Sequence, residues 1–101
     1  MIEVGDTLKV KGREDRLGYV IPTDVTWTVV VLEPIEGQRM FAAVARGETK
    51  GGRTLWLAGR LDIVGRPGYP PSPMQGDDSL IWETERGALG DHAERKVNDA
   101  W

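Results

Sequence analysis

A chain of 101 residues with 40% apolar and 29% charged residues has the size and make-up of one globular domain, which excludes a disordered or membrane-spanning composition. The absence of cysteine excludes disulfides, thiolate chemistry and Cys-based metal sites, and fits a reducing, cytoplasmic setting. The net charge is −3; basic and acidic residues balance over residues 1–64, so the acidic excess lies in residues 65–101, unlike the basic footprint of a nucleic-acid-binding domain.

No apolar run approaches the roughly 20 residues needed to cross a bilayer, and Met1 to Asp6 lacks the basic start and apolar stretch of a signal peptide. Leu8 and Val10 then alternate with Thr7, Lys9 and Lys11, the period of a strand with one face in a core. Gly12 ends that strand. A charged connection, Arg13-Glu14-Asp15-Arg16, leads into Leu17-Gly18-Tyr19-Val20-Ile21, expected as a second strand stopped by Pro22. Trp27-Thr28-Val29-Val30-Val31-Leu32 is β-branched and aromatic, and its consecutive valines predict a central strand covered on both faces.

Glu36-Gly37-Gln38 reads as a turn and Arg39 to Ala45 as the next strand, short enough to override the helical propensity of its alanines. Gly47 to Gly52 is a polar hairpin loop, followed by Thr54 to Ala58 and by Leu61 to Gly65. Short strands with turn signals about every ten residues predict a small all-β fold, a five-stranded barrel over residues 1–65. Its expected core is Trp27, Val29, Val31, Phe41, Leu55, Trp56, Leu57 and Ile63.

After Gly65 the composition changes. Residues 66–79 form a Pro- and Gly-rich linker, and residues 80–101 an acidic tail of short helices or disorder. Asp78 or Ser79 is placed to cap a helix from Leu80 to Arg86, with Gly87 as its stop, and Asp91-His92-Ala93-Glu94 has capping-box spacing for a second.

Val4-Gly5-Asp6-Thr7-Leu8-Lys9-Val10-Lys11-Gly12, a charged loop and Leu17-Gly18-Tyr19-Val20 together resemble the opening of SH3-like barrels, KOW-type domains among them. Leu57 to Gly65 resembles their closing segment, so the likeness spans roughly residues 3–65. It implies an SH3-like barrel. KOW domains carry a Gly in the connecting loop, where this chain has Arg13 to Arg16, so their ribosomal and transcription-factor roles do not carry over with the pattern. In size and style the chain is also similar to small proteins of bacteriophage genomes.

No residue constellation supports catalysis. The sole histidine, His92, lies in the tail without an orienting partner and reads as a solvated or capping residue. Ser72 and Ser79 lack a nucleophile elbow, Asp77-Asp78 lacks calcium-loop spacing, and Gly51-Gly52 lacks the Lys-Ser/Thr step of a phosphate loop. The expectation is a non-enzymatic module without cofactor or metal. Leu80, Ile81, Trp82 and Trp101 are large apolar residues in a polar tail, expected to dock on the barrel, on a protein partner or on a second copy. The competing expectation is a nucleic-acid-binding barrel using Lys9, Lys11, Arg13, Arg16, Arg53 and Arg60, with Tyr19 or Trp27 for stacking.

Overall fold

The computed structural model describes residues 2–37, 39–62 and 73–97. Its elements are β1 (Thr7–Leu8), β2 (Val10–Lys11), β3 (Trp27–Pro34), β4 (Met40–Glu48), β5 (Thr54–Asp62), β6 (Met74–Gln75), β7 (Ser79–Trp82) and α1 (Glu85–Val97). The first, third, fourth, fifth and seventh strands form one antiparallel sheet in the order β1-β3-β4-β5-β7. A separate parallel ribbon joins β2 to β6, with Val10 opposite Met74. The fold is therefore β-rich and antiparallel, but the expected closed barrel is not formed. Closure needs the two outer strands to bond each other. Here β1 offers two residues, both paired to β3, while the outer edge of β7 is engaged by the chain around Asp15.

The central strands bury both faces, and a bulge in β3 makes that possible. Val29 pairs with Ala45 and Val31 with Val44, so Val30 is the extra residue and stands partly exposed. One inserted residue reverses the side-chain alternation. Val29 thus joins the core with Trp27, Leu8, Ile21, Leu57 and Met74, while Val31 packs on the opposite face with Val44 and Ala58. The run Ala42 to Ala45 is completely buried. Small side chains there let the N-terminal segment approach one face and α1 the other, which overrides alanine's weak strand preference. Of the expected core, Trp27, Val29, Leu55 and Leu57 are buried, Val31, Phe41 and Trp56 are half-buried, and Ile63 lies outside the described residues.

Several segments differ from expectation: the first expected strand is split between β1 and β2 in different sheets, Thr54–Asp62 is one unbroken strand where Gly59-Arg60 was expected to separate two, and the expected linker holds β6. Leu17 to Ile21 is not a strand of the sheet; it is one arm of a tight hairpin with a single bridge, Glu14 to Val20. Gly18 turns it with a positive φ of 86°. Leu80 to Trp82 is not helical but forms β7, because Leu80 opposes Ala58 and Trp82 opposes Trp56 on β5. The expected two helices are one. Thr84 caps it by accepting the Gly87 N–H at 3.1 Å, and Gly87 lies inside the first turn, not at a stop. A Cβ there would overlap the Trp82 ring, so the glycine lets the indole lie against the helix. Among the described residues no helix is long and apolar enough to cross a membrane.

Candidate protein-docking groove

The groove begins with a buried carboxylate. Asp15 has only 4% of its surface exposed and accepts three backbone N–H groups: Leu17 at 3.0 Å and Tyr19 at 2.9 Å on Oδ1, and Ile81 at 3.0 Å on Oδ2. The hairpin is further closed by Asp15 N–H to Tyr19 C=O and Ile21 N–H to Arg13 C=O, both 2.8 Å. Arg16 N–H reaches the Ser79 carbonyl at 2.9 Å. The loop between β2 and β3 is therefore tied to the edge of β7 while its apolar side chains point outward. Leu17, Tyr19 and Val20 are 69%, 65% and 72% exposed. That is an unusual concentration of large apolar side chains on one hairpin.

Between this hairpin and β7 runs a groove of about 500 Å³. Tyr19, Val20 and Pro22 form one wall, and Leu55, Ile81 and Trp82 the floor and the other. Arg53 and Glu83 sit at its rim, joined by an exposed ion pair. Such a surface pair contributes little stability. The groove is apolar at its base, polar at its edge and open to solvent.

The residues singled out in the tail converge here in part. Ile81 packs against the main core and Trp82 against the helix-side cluster, and both keep one side in the groove. Leu80 is half-buried in β7 but does not line it. Trp101 lies outside the described residues. Tyr19 and Val20 were not among the expected docking residues. Gly18 and Pro22, which bracket them and disfavour a regular strand, are the signal that marks the segment as an exposed turn.

The six basic residues of the competing reading do not line one common hollow. Lys11 and Arg13 border a shallow hollow together with Glu14 and Asp77, and Lys9 borders another beside Val10 and Ile21. Arg16 is exposed on the hairpin and Arg53 is paired with Glu83. Arg60 grips Asp78 with two hydrogen bonds, of 2.9 and 2.6 Å. Asp78 is thereby committed to an arginine. Among the described residues no cluster of three His, Asp or Glu side chains could hold a metal ion.

A second polar cluster lies under α1. Ala88, Asp91, His92 and Arg95 share the face turned to the sheet. Asp91 accepts the Trp82 indole N–H and the Arg95 Nε–H, both at 3.0 Å, and Arg95 also donates to the Asp78 carbonyl at 2.8 Å. Burial pulls the Arg95 pKa down while Asp91 works against it, and the guanidinium stays charged. His92 is not the solvated residue expected from the sequence. It is buried, with Nε2 2.7 Å from Glu33 Oε1, because the helical spacing from Ala88 turns it to the sheet. Glu33 also accepts Lys96 Nζ at 2.9 Å, and the hydrogen bonds from Lys96 and His92 hold its carboxyl below the usual carboxylate range. These groups anchor the helix and so hold Trp82 in place beside the groove.

No family model matches the chain, and no curated protein or solved structure matches it either.

Proposed function

We propose that this chain is a non-enzymatic protein-interaction module whose docking site is the groove between the 14–21 hairpin and β7. The observation that carries the reading is the outward display of Tyr19 and Val20 opposite Ile81 and Trp82, on a hairpin held in place by Asp15. Exposed apolar side chains that are rigidly positioned, rimmed by charge and centred on Tyr and Trp have the anatomy of a protein-binding patch. At the rim of the groove Arg53 and Glu83 pair with each other. We further read the sheet as an open relative of the SH3-like barrel, supported by the antiparallel β3-β4-β5 run and by the β2–β6 ribbon. The nucleic-acid reading stands second, since Arg53 and Arg60 are engaged by acids.

Selection of displayed peptides against the full chain tests the proposal. Selected peptides should lose at least about tenfold in affinity on Val20→Asp or Tyr19→Ser, a hot-spot-sized effect, and change little with salt. Peptides that ignore both substitutions, or tight binding of a single-stranded oligonucleotide that falls steeply with salt, would overturn it.

A further inference from the structure

We propose that the groove takes an extended acidic segment of a partner protein, which seats an aromatic or aliphatic side chain between Tyr19 and Trp82 and sets a carboxylate on Lys9. This rests on the docking reading above and names the chemistry of its partner.

The groove does not end at Pro22. That residue also borders a second hollow of about 300 Å³, whose lining includes Leu8, Lys9, Ile21, Val25 and Trp27. The two are neighbours through Gly47 as well. Gly47 pairs with Leu55 of the groove, and a Cβ on it would overlap Val25 and Trp27 of the second hollow. Groove and hollow therefore form one trough that passes Pro22, with aliphatic and aromatic side chains along its base.

Charge distinguishes its two ends. In the groove Arg53 and Glu83 pair with each other. In the second hollow Lys9 is the one charged side chain of the lining among the described residues. It is exposed, and its ammonium takes no partner among them. The next hollow, reached across Gly12, is balanced: Lys11 and Arg13 lie there with Glu14 and Asp77. The trough thus carries one uncompensated cation beside an apolar base, and a carboxylate is its complement. A single cation does not track a phosphate backbone.

The edge of β7 sets the form of the ligand. Its Ser79 carbonyl and Ile81 N–H are held by Arg16 and Asp15, so no strand adds there and recognition falls to side chains. An extended, polyproline-like chain needs no ladder partner, because its backbone stays solvated. Trp82 commits its indole N–H to Asp91 and offers the groove apolar surface, which suits an apolar anchor.

The experiment is selection of displayed random peptides against the full chain, then titration with the synthetic winners. The expected result is an aromatic or aliphatic anchor with Asp or Glu enriched to one side of it. Changing those acids to amides in the peptide should weaken binding at least about threefold, and Lys9→Glu in the protein at least about fivefold. A peptide with Lys in place of the acid should recover most of the affinity for the Lys9→Glu chain. Lys11→Glu, in the balanced hollow, should stay within about twofold. Raising the salt should cost no more than about threefold, the share of one exposed ion pair. The amide peptides need no protein variant, so they decide even if Lys9→Glu folds poorly.

Peptides that are lost on Val20→Asp, yet show no acidic preference and ignore Lys9→Glu, overturn this proposal and leave the docking reading standing. Peptides that ignore both Val20→Asp and Tyr19→Ser overturn the two together, as does a selection that yields no binder.

Discussion

The Asp15 carboxylate accepts the backbone N–H of Ile81 at 3.0 Å, across 66 residues of sequence, and so fastens the loop between β2 and β3 to β7. The same side chain orders its own hairpin through Leu17 and Tyr19. Asp15→Ala leaves three N–H groups to find water or go unpaired, which should cost about 2–3 kcal/mol. A urea titration should show the lower midpoint, and exchange at Tyr19 should rise more than exchange in β4.

Asp91 and Arg95 form a buried ion pair whose side chains are 2% and 0% exposed. Removing one partner strands a buried charge, so Asp91→Ala should cost about 3–5 kcal/mol. Asp91→Leu combined with Arg95→Met should cost clearly less than the sum of the single changes. Chemical denaturation of the four chains, read as a double-mutant cycle, gives the coupling.

Glu33 contributes to stability in a pH-dependent way. Its folded-state pKa is lowered beneath 4.5 by its hydrogen bonds to Lys96 and His92, so the unfolded chain takes up that proton first as pH falls. The stabilisation is complete above 4.5 and is lost as pH drops through the folded value. Its size is modest, because the Glu33 side chain is 41% exposed. Thermal unfolding between about pH 3 and 6 should therefore show a shallower loss of Tm for Glu33→Gln than for the parent chain.

Gly87→Ala should destabilise, against helix propensity. Replacing an interior helical Gly by Ala ordinarily gains about 1 kcal/mol. Here the new methyl meets the Trp82 ring and the Thr84 hydroxyl, and overpacking of this kind costs about 1–3 kcal/mol. A lower Tm with altered near-ultraviolet dichroism would report the displaced indole.

Local pattern made β3 and β4 legible and β5 only in part, because β-branched and aromatic residues between Gly-bearing turns carry their own signal, while Gly59-Arg60 reads as a break where the ladder with β4 carries the strand through. The bulge at Val30 was not legible. Three valines in a row predict two covered faces, but only the register shows that one inserted residue achieves it. Leu80-Ile81-Trp82 reads as a capped helix because Asp78 and Ser79 precede it and Gly87 follows. In the fold Asp78 holds Arg60, Ser79 Oγ donates to the Gly76 carbonyl, and Gly87 accommodates an indole. The helix itself is obscured by two internal glycines and by a sheet-facing side made of Asp91, His92 and Arg95, where an amphipathic pattern would place leucines. Ile81 and Trp82 stood out as large apolar residues in a polar segment. Tyr19 and Val20, the other wall of the groove, did not, because the two segments are distant in sequence and meet in the fold through the contacts of Asp15 with Ile81 and of Arg16 with Ser79.

The most direct test of this account is backbone amide exchange of the full chain over residues 79–97. The amides of Leu80 and Trp82, which face β5, should be protected to within about tenfold of those in β4 and β5, with Asp91 to Arg95 close behind. Exchange at the rate of an unstructured peptide in this stretch, beside a protected β3-β4-β5 sheet, would mean that β7 is not part of the fold. The groove would then have no second wall, and the docking site proposed here would not exist.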